Sequence, residues 1–201
     1  MFRPMPKPPE QYAYGFGGDG IGYHAGLERF LDSAEWMGYT TDYTIEGTAE
    51  LVRNNINKEL VCFTAHGSQD TVRIRDGLRL HNSNASSFIT TDPNQINIET
   101  ITLEKPKLIV VAACETAKGD DNIAKSILDS GAKCVIGWSE EIFGAEIQTW
   151  MELFTYCLQA GETISEAYNF ANNYEGYSNN SIQSAVLYGT SANQQQTLVI
   201  N

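Results

Sequence analysis

The 201-residue chain is predicted to be an α/β protein, a three-layer α/β/α sandwich around a mainly parallel sheet. Short apolar runs of strand length alternate along it with segments of helical periodicity, which is typical of βαβ units. Two of the runs, residues 60–65 and 108–113, are almost wholly apolar, as expected for strands covered on both faces. A hydrophobic fraction of 42% is sufficient for such a core.

In the first third of the chain, strands and helices are predicted in alternation. Residues 11–16 alternate aromatic and small side chains and stop at glycine-rich residues 17–20, which predicts a strand and a turn. Apolar residues at helical spacing predict a helix over residues 24–38, ending at Gly38. A strand at 39–45 and a short helix at 48–57 are predicted before the apolar strand at 60–65.

The middle of the chain is predicted to be a hairpin and a loop. Residues 71–80 alternate apolar side chains with arginines around Asp76-Gly77, which is a hairpin turn signal. Residues 81–95 are crowded with Asn, Ser, Thr and Asp, so a long exposed loop is predicted there. Such a loop can face a substrate or be a tolerated surface insertion, and the sequence favours neither.

The C-terminal half continues the alternation. Predicted strands and helices alternate at residues 108–113, 121–130, 133–138 and 145–159. A capping box of Thr163 and Glu166 starts a further helix that runs to about residue 172. Closing strands are predicted at residues 185–188 and 197–200.

Charge and cysteine content exclude several function classes. The net charge of −12 argues against nucleic acid or an anionic membrane as partner, and no apolar stretch approaches the roughly 20 residues of a membrane span. The four cysteines show no Cys-x-x-Cys spacing, so neither disulfides nor zinc and other cofactors are expected. Free thiols are typical of reducing compartments, so a cytoplasmic location is expected. Proline-rich residues 1–10 are predicted to be a mobile leader before a single domain at 11–201.

His66 and Cys114 each follow one of the two apolar runs directly. Parallel strands present their last residues at the same carboxyl edge, so a thiol and an imidazole are expected to meet there as nucleophile and base. The backbone N–H groups of Gly67 and Cys114 are the candidate donors to an oxyanion. The alternative is structural, since a lone cysteine is often only a small buried hydrophobe.

The ordered motifs around these two residues resemble the caspase-like superfamily of cysteine peptidases, clan CD, and within it bacterial CHAT-type and gingipain-like domains. The motifs are residues 64–68, residues 111–117 and the downstream stretches 131–138 and 158–161. The histidine also lies about 50 residues before the cysteine, as in caspases. The resemblance implies a caspase-like fold and a cysteine endopeptidase, with His66 as base and Cys114 as nucleophile. The alternative is a catalytically silent caspase-like interaction or sensing module, but such a module would need neither His66 nor Cys114, so their presence favours the enzyme.

Acidic residues are predicted to surround this edge, with no arginine at the strand ends. They would favour a basic residue before the scissile bond, unless they are merely solvated in an acidic chain. They are Asp19, Glu115, Glu140 and Glu141. Asp70 and Asp76 are candidates to orient His66. The expected partners are a peptide or protein substrate and a regulatory protein.

Overall fold

The computed structural model describes residues 10–18, 23–45, 47–75, 77–86 and 92–200. The leader predicted at residues 1–10 therefore lies outside the described residues except for Glu10. These residues form ten strands: β1 (Tyr12–Gly17), β2 (Thr40–Thr44), β3 (Leu60–Thr64), β4 (His66–Ser68), β5 (Thr71–Arg75), β6 (Leu78–His81), β7 (Gln95–Asn97), β8 (Leu108–Ala112), β9 (Cys134–Trp138) and β10 (Ala185–Gly189). The helices are α1 (Tyr23–Trp36), α2 (Ala49–Asn55), α3 (Ile123–Asp129), α4 (Gly144–Gln159), α5 (Ile164–Asn172) and α6 (Ser191–Gln194).

Six strands form the central sheet, in the order β10-β9-β8-β3-β1-β2. All neighbours in it are parallel except β10, which runs antiparallel to β9. The predicted mainly parallel sheet is confirmed. Its two innermost strands, β3 and β8, lie side by side with Thr64 opposite Ala112, so both end at the same edge.

Helices cover both faces of this sheet. On one face, α1, α4 and α5 bury a core that includes Phe30, Trp150 and Ile164 against alternate strand residues such as Cys62 and Val110. On the other face, α2 and α3 pack on the intervening strand residues. This division follows from the period-two alternation of side chains along each strand.

A second, four-stranded sheet in the order β4-β5-β6-β7 completes the second face. The predicted hairpin is its centre, β5 and β6, whose apolar side chains Val72, Ile74 and Leu80 are fully buried in the same core as α2 and α3. The predicted loop at 81–95 is only partly correct, because β7 begins at Gln95 and pairs with β6. Residues 87–91 lie outside the described residues.

The closing strand predicted at residues 197–200 is wrong, since no strand forms there. Leu198 is buried, and the Ile200 N–H donates to the carbonyl of Met37 at 2.9 Å. The segment is therefore held against the end of α1 rather than in a sheet ladder.

Candidate active site

The structure places His66 and Cys114 just beyond the ends of adjacent parallel strands. His66 is the first residue of β4, two residues after β3, and Cys114 is two residues after β8. The ladder between the two strands continues past their ends, because the Ala65 N–H donates to the carbonyl of Ala112 at 3.2 Å. The two predicted residues are thus on neighbouring segments of one sheet edge.

Gly67 brings the two segments into direct contact. A Cβ atom at Gly67 would lie 2.7 Å from the carbonyl oxygen of Cys114, 2.8 Å from Ala113 Cβ and 2.9 Å from Thr116 Cγ2. These separations are shorter than a side chain tolerates, so only glycine allows the backbone next to His66 to approach the cysteine turn this closely.

A strained turn carries Cys114. Glu115 has φ of 57°, the left-handed region, and is the one non-glycine residue in the described chain with positive φ. Such conformations cost free energy and persist only where the surroundings fix them. Here the Glu115 N–H donates to the carbonyl of Glu140 at 3.0 Å, and the Ala117 N–H donates to that of Trp138 at 2.8 Å. The turn is thereby bound to the end of β9.

The Cys114 thiol is half-buried and hydrogen bonded to one residue. Its sulfur accepts from the Ile142 N–H at 3.4 Å, and the thiol can donate to the Ile142 carbonyl at 3.7 Å. Ile142 lies between β9 and α4. The sequence carried no signal for this contact, because it depends on the path of a loop between two elements distant from Cys114.

The other three cysteines are buried free thiols. Burial raises the pKa of Cys62, and it raises the pKa of Cys134 to about 11. Burial, and secondarily the charge of Glu162, raises the pKa of Cys157. Buried neutral thiols react slowly, so these three cysteines have the character of small core residues.

His66 is exposed and lies directly opposite Arg73 in the ladder between β4 and β5. Of the two carboxylates predicted to orient it, Asp70 accepts a hydrogen bond from Asn82 Nδ2 at 3.1 Å, and Asp76 lies outside the described residues. In the described part of the chain, no hydrogen bond joins Asp70 to His66. No sequence pattern indicated an arginine beside His66, but the second sheet brings Arg73, a residue in the middle of β5, opposite it.

Three of the four predicted acidic residues lie beside the cysteine turn, on its β9 side. Glu115 forms an ion pair with Lys118, whose pKa it raises, mainly through a hydrogen bond. Glu140 accepts from the Glu115 backbone through its carbonyl, and the side chains of Glu140 and Glu141 are exposed. We call these three residues the acidic rim. Asp19 lies outside the described residues.

Two other kinds of feature are absent among the described residues. No group of three or more His, Cys, Asp or Glu side chains there could hold a metal ion. No helix in that part of the chain is long and apolar enough to cross a membrane.

Comparison with known proteins identifies the family. A model described as the CHAT domain matches residues 27–174, which is more than half of the chain. The chain belongs to the CHAT domain family. No curated protein matches this CHAT chain at a significant level.

Solved structures give the wider fold relationship. The Arg-specific cysteine proteinase gingipain R superposes with a TM-score of 0.64 at 16% identity, over 95% of this chain and 48% of that one. A complex of the pro- and mature domains of Porphyromonas gingivalis RgpB gives 0.62 at 15% identity, over 95% and 49%. The Saccharomyces cerevisiae separase–securin complex gives 0.55 at 13% identity, over 91% and 12%.

These neighbours are caspase-like cysteine peptidases of clan CD, so the predicted caspase-like fold is confirmed. The CHAT chain spans about half the length of the gingipain structures and about an eighth of separase.

Proposed function

We propose that this CHAT protein is a cysteine endopeptidase in which Cys114 is the nucleophile and His66 the general base. The observation that carries the proposal is the packing of Gly67 against the Cys114 carbonyl, which fixes the base-bearing and thiol-bearing segments at one sheet edge. A thiol and an imidazole held on adjacent segments are what acyl transfer through a thioester requires.

In the proposed mechanism, the Cys114 sulfur attacks the peptide carbonyl carbon and its proton passes to His66. The tetrahedral intermediate collapses to a thioester, and His66 returns the proton to the departing amine. Water then attacks the thioester with His66 as base, which releases the acid and restores the thiol. Before the first step the thiol must turn from the Ile142 carbonyl toward His66, a rearrangement of the kind common on substrate binding.

The backbone N–H of Cys114 is well suited to stabilise the oxyanion. The adjacent N–H groups of Ala113 and Glu115 donate to the carbonyls of Val111 and Glu140. In the described residues the Cys114 N–H has no such backbone acceptor. We propose Gly67 as the second donor. The Ile142 N–H would stabilise the negative charge that develops on the Cys114 sulfur as the thiol proton passes to His66.

For substrate preference, we propose cleavage after Arg or Lys. The acidic rim lies beside the cysteine turn, where Glu140 and Glu141 are exposed and, in the described chain, the three acids outnumber the one lysine, Lys118, that interacts with them. One structural neighbour, gingipain R, is an Arg-specific proteinase, which is consistent with this preference. The two neighbours captured with a pro-domain and with securin support a regulatory protein as partner.

The test is hydrolysis of fluorogenic peptides that differ only in the residue before the scissile bond. We expect turnover of Arg and Lys peptides, and a loss of about 10³-fold or more in Cys114→Ala and in His66→Ala. Cys157→Ala is the matched control and should keep full activity. Preference for Asp or a neutral residue would overturn the proposed specificity.

Alkylation with an iodoacetamide probe separates the enzyme from a silent interaction module. Labelling of the parent should occur at Cys114 and slow in His66→Ala, because the other three thiols are buried with raised pKa values. Equal labelling at all four cysteines, independent of His66, would contradict the proposal and favour the interaction module.

A further inference from the structure

A cavity of about 310 Å³ adjoins the candidate active site on the second sheet. Its lining begins at Gly67 and Ser68, immediately after His66, and includes Asp70, Thr71, Arg73 and Arg79. No residue of the proposed mechanism other than Gly67 lines it. The cavity is therefore a neighbour of the proposed dyad that the chemistry does not itself require.

Two arginines line the cavity in register with the proposed base. His66 is directly opposite Arg73 in the β4–β5 ladder, and Arg73 is directly opposite Arg79 in the β5–β6 ladder. Opposed residues of antiparallel strands point to the same face with Cβ atoms about 5 Å apart. We call Arg73 and Arg79 the basic row. On the same face of the sheet Arg73 lies one such step from His66 and Arg79 two steps, so Arg79 is about 10 Å from His66.

The basic row is a local exception in an acidic protein. The chain has a net charge of −12, yet among the described residues this cavity is lined by the guanidinium groups of Arg73 and Arg79 and by one carboxylate, that of Asp70. Asp70 already accepts a hydrogen bond from Asn82. Arg73 is exposed and Arg79 is half-buried, so the guanidinium of Arg73 is open to solvent at the cavity.

The position of the basic row relative to the dyad indicates which part of a substrate it would meet. In the proposed mechanism His66 gives its proton to the departing amine, so residues after the scissile bond leave on the His66 side. The acidic rim lies on the other side of the thiol, where Ile142 and Glu140 contact the cysteine turn. The two charged groups therefore face opposite halves of a bound peptide.

We propose that this cavity is a substrate subsite for the carboxylate of an Asp or Glu side chain that follows the scissile bond. Guanidinium groups bind carboxylates through paired hydrogen bonds, which suits them to this ligand. An extended peptide advances about 3.3–3.6 Å per residue, so the second or third residue after the cut reaches the basic row. This inference rests on the proposed function, since it names a further part of the same substrate.

The experiment uses internally quenched peptides that carry Glu, Gln or Lys at each of the first three positions after the cut. We expect kcat/KM to be about tenfold higher for Glu than for Gln at the second or third position, and lower again for Lys. The advantage of Glu should shrink as salt is raised from about 50 to 500 mM, because Arg73 is exposed. Equal kcat/KM for the three peptides at every position would overturn the subsite and leave the peptidase standing.

Variants of Arg73 assign the preference to the basic row. Arg73→Gln should reduce the advantage of Glu to about twofold or less, and Arg73→Glu should make Lys the better residue. Arg29→Gln is the matched control, since Arg29 is an exposed arginine on α1, across the central sheet, paired with Glu152 at 3.1 Å. An unchanged preference in Arg73→Gln would refute the assignment.

A binding measurement keeps the two proposals separable. Fluorescence anisotropy of labelled peptides with Cys114→Ala requires no catalysis, and we expect the Glu peptide to bind about tenfold more tightly than the Gln peptide. If the parent cleaves no peptide, the proposed peptidase function fails. The difference in affinity between the Glu and Gln peptides still tests whether the cavity binds a carboxylate. Equal affinities in Cys114→Ala would reject the subsite whatever the parent cleaves.

Discussion

Gly67→Ala tests whether close backbone approach holds the candidate active site together. The added methyl group would meet the Cys114 carbonyl oxygen at 2.7 Å, Ala113 Cβ at 2.8 Å and Thr116 Cγ2 at 2.9 Å. Two of the three obstacles are the backbone and a Cβ atom, which cannot rotate away. The β4 segment and the cysteine turn must therefore separate.

The size of the effect follows from that separation. The contacts must lengthen by roughly half an ångström or more to reach the 3.4 Å of ordinary packing. Overpacking of this kind costs about 1–3 kcal/mol in the free energy of unfolding, which for a chain of this size lowers Tm by roughly 2–12 °C. Misplacement by about 1 Å can reduce a catalysed rate by 10²-fold, so a loss of about tenfold in peptide hydrolysis is expected.

Urea unfolding and the rate of peptide hydrolysis measure the two effects separately. Gly47→Ala is the control, because a Cβ at Gly47 finds its nearest atoms at 3.4–3.7 Å, which is ordinary contact. We expect the free energy of unfolding of Gly47→Ala to lie within about 0.5 kcal/mol of that of the parent, or slightly above it. If Gly67→Ala matches Gly47→Ala in both its urea midpoint and its rate of peptide hydrolysis, the reasoning from close approach is refuted.

Three further predictions concern Glu115, Asn122 and Glu99. Because Glu115 has φ of 57°, Glu115→Val should be about 2 kcal/mol less stable than Glu115→Gly in urea; equal midpoints would contradict the strain. Asn122 accepts from the Lys125 N–H at 2.9 Å and is buried, so Asn122→Ala should lose about 1–3 kcal/mol by the same assay, with Asn122→Asp intermediate. Hydrogen bonds from Ser83 hold the pKa of Glu99 below its usual range, so the stability advantage over Glu99→Gln should be full above about pH 4.3 and shrink as the pH falls below it; an advantage that does not change with pH would refute it.

The parts of the fold that the sequence predicted correctly are those with strong local patterns. The runs that became β3 and β8 are apolar because both faces are covered, and this pattern also predicts parallel neighbours. The capping box is equally local: the Thr163 side chain accepts from the Glu166 N–H, and the Glu166 side chain accepts from the Thr163 N–H. In both cases the atoms that form the structure lie within a few residues of one another.

The missed features depend on distant contacts. The strands at His66–Ser68 and Gln95–Asn97 are three residues long, too short for a period-two pattern, and exist because the hairpin between them offers two edges. Residues 197–200 have β-forming side chains yet pack at the end of α1, since strand propensity yields to context. His81, expected beside an exposed loop, is buried with Nδ1 2.8 Å from the Asn82 carbonyl.

The same division explains which parts of the site could be predicted. The placement of His66 and Cys114 at one edge follows from a general property of parallel strands, so two short runs were enough. Ile142 and Arg73 reach that edge only through a loop path and a ladder register, which no local pattern encodes.

The proposed nucleophile, Cys114, and the proposed base, His66, are anchored to different parts of the molecule. The cysteine turn is bound to the end of β9 through Glu115 and Ala117, whereas His66 belongs to the second sheet through its ladder with β5. Because β4 follows β3 after a single residue, little chain is available to adjust the base independently. The relative position of the two groups is therefore set where their backbones touch, at Gly67 and the Cys114 carbonyl. A change at that contact should therefore alter both reactivity and stability, whereas a change within either anchor should alter mainly stability.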